Sequence, residues 1–190
     1  YPLPAKHADN VVQIVSSGPD TDWESIMQGM ATAIMSARDY VYMHTPYFVP
    51  NDVILNAITV AALSGTDVRL MIPVRSDSRL SDACTFSYMG EILEAGVKVY
   101  QYTKGFLHSK AIVVDDFIAI VGSANLDERS FNQNFEANAF IYDKATSLRL
   151  KELFLNDITN SRELSFQDWD NRKRSQKIKE SFARLFSPII

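Results

Sequence analysis

An imidazole and an ammonium group stand two residues apart at the start of an apolar segment. His108 and Lys110 open the stretch HSKAIVVDDFIAIVGSAN, which ends at Asn125. Side chains alternate across an extended backbone, so we expect both groups to project from the same face of a strand. A buried ammonium needs an anionic partner, and no carboxylate lies two residues to either side of Lys110. The pattern predicts that this partner is a bound anion.

A second set of polar groups follows the next apolar run. Ser123 and Asn125 are again two residues apart, and they offer a hydroxyl and an amide that can both donate hydrogen bonds to oxygen atoms. Gly122 precedes them and would let the backbone approach an anion closely. Together with Lys110, these groups predict a phosphate site.

Other chemistries fit these residues less well. A protonated lysine has no lone pair to give a metal ion, and one histidine with distant carboxylates is a poor ligand set, so we expect no metal and no cofactor. Ser123 lacks the G-x-S-x-G sequence of a hydrolase nucleophile, which favours a donor role. Taken singly, His108 could be a hydrogen-bonded core residue and Lys110 could extend to water. Their combination with Asp115 and residues 122–125 favours the phosphate site.

Alternating strand and helix patterns surround these residues. Strands are predicted at 11–15, 40–44, 67–72, 97–102 and 136–142, and the apolar segment supplies two more, joined near Asp115. Helices are predicted at 22–37, 52–64, 79–95, 145–158 and 169–186. Thr21 and Glu24 have the spacing of a capping box, and Asn51 is a second candidate cap. The alternation, with two consecutive strands around Asp115, predicts an α/β sandwich with a mixed β-sheet.

Composition narrows the class of protein. The 190 residues are 46% hydrophobic, which suits one domain, expected at residues 11–190 after a linker at residues 1–10. Cys84 is the only cysteine, so neither an intrachain disulfide nor a cysteine-rich zinc site can form. The net charge of −4 argues against a nucleic-acid partner. No apolar run reaches the roughly 18 residues of a membrane-spanning helix.

The complete spacing H-x-K-x4-D-x6-G-S-x-N resembles the signature motif of the phospholipase D superfamily. Five further segments are similar to the C-terminal half of bacterial cardiolipin synthases: TPYFVP, DVRLMIP, YTKGFLHSK, GSANLDERSFNQNFE and RLFSPII. This resemblance implies a phospholipase D-like α/β/α sandwich. It also implies that residues 11–190 are the C-terminal half of an enzyme with two such motifs.

The resemblance implies a reaction as well. One histidine would attack phosphorus to form a phosphohistidine, and a second would protonate the leaving alcohol, so that two phosphatidylglycerol molecules give cardiolipin and glycerol. His108 would be one of these histidines, and Lys110, Ser123 and Asn125 would bind phosphate oxygens. Glu136 matches the family acid that hydrogen-bonds the catalytic histidine, although it could be an exposed carboxylate at a strand end.

Asp115 completes the motif and is therefore a candidate catalytic residue. Its position in the strand is opposite in phase to that of His108, so the two side chains should project from different faces. This phase favours a buried structural acid that binds backbone amides at the turn between the two strands.

One motif makes an incomplete site, and the partners implied are an N-terminal half with a second motif or a symmetric second copy. His7 and His44 lack a lysine two residues later and cannot supply that motif. We expect His44 to be mainly structural, with a position bordering the site as the alternative. We expect Tyr47 and Phe48 to line either a lipid entrance or the core. The resemblance also implies a bacterial membrane surface, reached through segments that precede this chain. Two alternatives stay open: a single-motif, homodimeric phosphodiesterase or nuclease, and a non-catalytic half that binds phospholipid.

Overall fold

The computed structural model describes residues 10–185 and contains ten strands and seven helices in that range. The strands are β1 (Val11–Ser17), β2 (Tyr40–His44), β3 (Phe48–Val49), β4 (Asp67–Pro73), β5 (Lys98–Tyr102), β6 (Ala111–Val114), β7 (Ile118–Gly122), β8 (Leu126–Asp127), β9 (Glu136–Tyr142) and β10 (Ser161–Leu164). The helices are α1 (Ser25–Ser36), α2 (Asp52–Leu63), α3 (Arg79–Glu94), α4 (Glu128–Asn132), α5 (Lys144–Ile158), α6 (Phe166–Asp170) and α7 (Arg174–Arg184). The linker predicted at residues 1–10 lies almost entirely outside this range, as does His7.

Eight strands form one mixed sheet, in the order β1-β9-β7-β6-β2-β4-β5-β10. The three strands β2, β4 and β5 run parallel, because α2 and α3 return the chain between them. The remaining pairs are antiparallel, among them the predicted hairpin of β6 and β7. β3 and β8 form a separate two-stranded parallel pair beside this sheet. The predicted mixed sheet is therefore confirmed.

Both faces of the sheet carry an apolar core. On one face, Val41 and Met43 of β2 pack in the larger core with buried residues of α1, α2 and α3. On the other face, Tyr40 and Tyr42 pack around Phe154 of α5, which is fully buried. Every residue of β2 is buried, because this central strand has helices on both sides. The α/β/α sandwich is confirmed.

Two helix starts test the predicted caps. Asn51 caps α2 as predicted, since its side chain accepts a hydrogen bond from the Ile54 amide at 3.1 Å. The capping box at Thr21 is wrong. The Thr21 hydroxyl donates to the Gly18 carbonyl at 2.8 Å and so closes its own turn, while the Ser17 hydroxyl accepts from the Ile26 amide at 3.0 Å. The Ile26 amide at the start of α1 therefore has its hydrogen-bond partner at the end of β1.

The C-terminal region differs most from the prediction. The single helix predicted at residues 169–186 is two helices, α6 and α7, separated near Asn171. The strand β10 was missed; it pairs with β5 at the edge of the sheet, where only Leu164 of its four residues is buried. An edge strand with this exposure has no apolar alternation to reveal it. No helix within residues 10–185 has both the length and the apolarity that a membrane crossing requires.

Candidate active site

Most of the polar residues singled out above lie together at one edge of the sheet, where four of its strands begin or end, and Asp115 is the exception. β2 ends and β6 begins at this edge, where His44 pairs with Ala111. β7 ends and β9 begins beside them, where Gly122 pairs with Asn138. The Gly122 amide also donates to the Lys110 carbonyl at 3.3 Å. The two ends of the motif are thus adjacent because β6 and β7 form a hairpin.

His108 and Lys110 lie in the loop before β6 rather than in a strand, which corrects the prediction. β6 begins only at Ala111, although the Gly122 amide of β7 already contacts the Lys110 carbonyl. Lys110 is half-buried, and its Nζ donates to the His108 carbonyl at 2.9 Å. The His108 ring is exposed and lies 5.2 Å from the ring of Phe106. The imidazole therefore sits outside the sheet edge and is open to a substrate or a second domain.

Two carboxylates influence the Lys110 ammonium. Burial lowers the pKa of Lys110, whereas the negative charges of Glu136 and Asp127 oppose this effect. Within the described part of the chain, neither carboxylate comes within ion-pair distance of Lys110. The ammonium is left with a carbonyl as its hydrogen-bond partner, and it retains donors for an anionic ligand.

Ser123 is held against the start of β9. Its backbone amide donates to the Ala137 carbonyl at 3.1 Å, and its side-chain oxygen accepts from the Ala137 amide at 3.0 Å. The hydroxyl also lies 3.4 Å from the Ala137 carbonyl, which is a weak hydrogen bond. Because the residue is exposed, this proton can turn toward a ligand. The backbone contacts thus fix the place of the predicted donor.

Asn125 is joined to a carboxylate that the sequence analysis did not single out. Its Nδ2 donates to Asp127 Oδ2 at 2.9 Å, while its Oδ1 is buried without a partner. Asp127 Oδ1 accepts from the Ser130 amide at 2.7 Å and caps α4. Asp127 is only 4% exposed, and burial raises its pKa. The relation between Asn125 and Asp127 is again i, i+2, so a signal for this residue was present in the sequence.

Gly122 has a different purpose from the one predicted. A Cβ at this position would lie 2.4 Å from Asn138 Cγ and 2.5 Å from the Ala137 carbonyl oxygen. The space beside the glycine is therefore filled by the protein rather than left for an anion. Asn138 is buried, and its Oδ1 accepts from the Ala124 amide at 3.2 Å. This second missed residue supports the backbone that carries Ser123 and Asn125.

Asp115 lies at the opposite end of β6 from His108. Its carboxylate accepts hydrogen bonds from the amides of Arg38, Asp39 and Tyr40 at 2.6, 2.9 and 2.8 Å. Its φ of 49° places it in the left-handed region, in the turn between β6 and β7. These contacts match the structural alternative for Asp115, although the residue is half-buried rather than buried.

Glu136 begins β9 at the same edge as Lys110. Its Oε1 accepts from Asn134 Nδ2 at 3.2 Å. Within residues 10–185, no hydrogen bond joins Glu136 to His108. Its proposed role in orienting the imidazole therefore stays a prediction.

His44 is buried on the face covered by α5. Its ring lies 4.8 Å from the Phe154 ring, and its Nε2 lies 3.4 Å from Asp157 Oδ2. Burial lowers the pKa of His44, and the Asp157 carboxylate only partly offsets that effect. His44 is thus a packed residue on the α5 face. Phe48 is fully buried in the core, so the lipid entrance suggested for it is not formed by that side chain.

A polar cleft of 480 Å³ opens beside Asn125. Its lining includes Tyr47, Asp77, Ser78, Asn125, Asp127 and Arg129. No set of three or more histidine, cysteine, aspartate or glutamate side chains in residues 10–185 converges as a metal site would. The side chains of Lys110, Ser123 and Asn125 supply an ammonium, a hydroxyl and an amide at the same end of the strands, and these donors can together bind the oxygens of a phosphate diester.

Comparison with known proteins identifies the family of the chain. The family model described as "Cardiolipin synthase, PLD-like domain" matches residues 30–158, which is most of the chain. The chain is a member of this cardiolipin synthase family. It is 46% identical over 179 residues to cardiolipin synthase 2 of Staphylococcus epidermidis, and 48% identical over the same length to cardiolipin synthase 1 of Staphylococcus aureus. Each match covers 94% of this chain but only 37% and 36% of the relative.

Solved structures show the same fold at low identity. The phospholipase D family member Nuc from Salmonella typhimurium aligns with a TM-score of 0.71 and 21% identity, over 83% of this chain and 99% of Nuc. A phosphatidylserine synthase from Haemophilus influenzae aligns with a TM-score of 0.74 and 20% identity, over 94% of this chain and 48% of that one. The fold of this cardiolipin synthase family member is therefore the phospholipase D fold.

Proposed function

We propose that the chain is the C-terminal half of a cardiolipin synthase, which transfers a phosphatidyl group from one phosphatidylglycerol to another and releases glycerol. The observation that supports this proposal is the complete motif in the sequence, with Lys110, Ser123 and Asn125 at one sheet edge, in a chain that is 46–48% identical to cardiolipin synthases over 94% of its length. The rest of the enzyme would supply the second motif and the attachment to the bacterial membrane.

The reaction proceeds in two displacements at phosphorus. In the first, a histidine nitrogen bonds to phosphorus, the bond from phosphorus to the glycerol oxygen breaks, and a second histidine protonates the departing glycerol. In the second, a hydroxyl of the acceptor gives its proton to that same histidine and attacks phosphorus, which breaks the phosphorus–nitrogen bond. We assign the acid and base role to His108 and the nucleophilic role to the second motif.

The phosphate oxygens are held by Lys110, Ser123 and Asn125. Lys110 retains donors beyond its bond to the His108 carbonyl, and the Ser123 hydroxyl is exposed at the same edge. Fixed donors of this kind stabilise the charge that develops on the phosphate oxygens in the transition state, and they need no reorganisation during the reaction. Asp127 holds the Asn125 amide in place for this task.

Replacement of the motif residues tests this function in the completed enzyme, meaning this chain joined to the half with a second motif. His108→Asn should lower cardiolipin formation by about 10²–10⁴-fold, because an amide cannot transfer the proton. Lys110→Ala should lower it by about 10²–10³-fold through loss of a charged donor. Arg149→Gln, at an exposed position of α5, is the matched control and should retain activity. Near-normal formation of cardiolipin and glycerol by the His108 variant would overturn the proposal.

A further inference from the structure

The polar cleft beside Asn125 holds a cation that the proposed reaction has not used. Arg129 lines this cleft and is exposed. In the described range, its guanidinium has no ion pair, side-chain hydrogen bond or aromatic ring as a partner. Because Asn125 lines the same cleft, this charge shares a cleft with one of the proposed phosphate ligands. A guanidinium of this kind is suited to bind a second phosphate with two parallel hydrogen bonds.

Other lining residues of the cleft offer oxygen atoms that can bind hydroxyl groups. The Tyr47 hydroxyl donates to Asp77, which leaves the second oxygen of that carboxylate as an acceptor. The Ser78 hydroxyl accepts from the Ser81 amide and keeps its own proton to donate. The cleft thus combines one cation with several groups that recognise a polyol.

The two carboxylates of the cleft have hydrogen-bond partners other than Arg129. Asp127 is buried, and it already accepts hydrogen bonds from Asn125 and Ser130. Asp77 is engaged by the Tyr47 hydroxyl. Neither carboxylate forms an ion pair with Arg129 among the residues described.

We propose that this cleft binds the acceptor phosphatidylglycerol, with Arg129 on the phosphate that the acceptor already carries. The inference rests on the proposed function. In the acceptor, the attacking hydroxyl and the phosphate occupy the two ends of one glycerol. A hydroxyl directed at the phosphorus held by Lys110 and Asn125 therefore brings the second phosphate only one glycerol away, within the same cleft. Arg129 distinguishes this acceptor from water and from free glycerol.

Two reactions of the completed enzyme separate acceptor binding from the rest of catalysis. Cardiolipin formation uses an acceptor with its own phosphate, whereas exchange of labelled glycerol into phosphatidylglycerol uses the same donor and an acceptor without one. Both are measured for the unmodified enzyme, for Arg129→Gln, for Arg129→Lys and for the control Arg149→Gln. Circular dichroism and thermal melting establish that each variant is folded.

We expect Arg129→Gln to lower the ratio of cardiolipin formation to glycerol exchange at least tenfold and to raise the KM for phosphatidylglycerol as acceptor. Arg129→Lys should recover part of this ratio, because it restores the charge but not the paired hydrogen bonds, and Arg149→Gln should leave it unchanged. An equal fall in both reactions, or no change in the ratio, would overturn the assignment of Arg129 while the proposed function stands. Absence of both reactions in the unmodified enzyme would overturn the proposed function, and this inference with it.

Discussion

Replacement of Asp115 by asparagine separates a structural from a catalytic role for the aspartate of the motif. The carboxylate binds the amides of Arg38, Asp39 and Tyr40, and it lies at the far end of β6 from His108. We therefore expect Asp115→Asn to lower the free energy of unfolding while the folded, completed enzyme keeps its kcat.

The magnitude follows from the number and exposure of these hydrogen bonds. Asp115 Oδ1 accepts two of these hydrogen bonds, and the side-chain oxygen of asparagine can accept both. The third hydrogen bond would be lost, because the asparagine Nδ2 and the Arg38 amide are both donors. A hydrogen bond to a charged group contributes about 1.5–3 kcal/mol, and water can replace part of it at the exposed Arg38 amide. Asparagine tolerates the left-handed backbone at this position. We therefore expect Asp115→Asn to lower the free energy of unfolding by about 1–2 kcal/mol.

Alanine at the same position provides a graded comparison. Asp115→Ala removes all three hydrogen bonds, and alanine in a left-handed backbone costs roughly 1–2 kcal/mol more. It should therefore lower the free energy of unfolding by more than Asp115→Asn does. Urea denaturation of the 190-residue protein measures both, with exposed Asp168→Asn as the control. A kcat that falls a hundredfold in Asp115→Asn, with an unchanged urea midpoint, would refute the structural role.

Three further variants test the energetics of the site. Burial lowers the pKa of Lys110, so the ammonium loses its proton at a pH below the ordinary lysine pKa of about 10.4. The kcat/KM of the unmodified enzyme should therefore decline at a lower alkaline pH than that of Lys110→Arg. Identical plots of kcat/KM against pH would contradict this. Burial also lowers the pKa of His44. As the pH falls, His44 is therefore protonated in the unfolded state before it is protonated in the folded state. The stability that this residue contributes above pH ~6.5 is lost as the pH falls below that value. Between pH 7.5 and pH 5.5, the free energy of unfolding should fall less in His44→Gln than in the unmodified protein. An equal fall in both proteins would count against a lowered pKa of His44 in the folded state. Gly122→Ala places a Cβ against Asn138 and the Ala137 carbonyl, and it should lower the free energy of unfolding in urea by about 1–3 kcal/mol. An unchanged urea midpoint would contradict the close contact at Gly122.

The central part of the fold could be predicted from the sequence because apolar periodicity and helix caps are local signals. The strand at 40–44 matches β2 in both bounds, and Asn51 caps α2 as expected. The edge strand β10 could not be found in this way, because its exposed Arg162 and Glu163 interrupt any apolar pattern. Thr21 had the spacing of a cap, but a competing hydrogen bond to its own turn prevailed.

The site could be predicted only as far as the motif reaches. The spacing of His108, Lys110, Ser123 and Asn125 indicated a phosphate site, and the structure brings the last three to one sheet edge. The contact of Asn138 with Gly122 depends on the register of β7 and β9, which the sequence does not display. In the same way, the lack of a partner for the Arg129 guanidinium within residues 10–185 becomes apparent only once the partners of the other charges are known.

The most direct test of the two-histidine site is turnover by the isolated chain. Sedimentation would establish the oligomeric state of the purified 190-residue protein, and a lipid-transfer assay would measure cardiolipin and glycerol from phosphatidylglycerol in the same sample. The chain offers His108 as its only histidine in the motif frame, and in-line displacement needs a nucleophile and an acid on opposite sides of phosphorus. We expect no turnover from the monomer, and activity only when a half with a second motif is added or when two copies pair symmetrically. Robust turnover by a strictly monomeric sample would contradict the account.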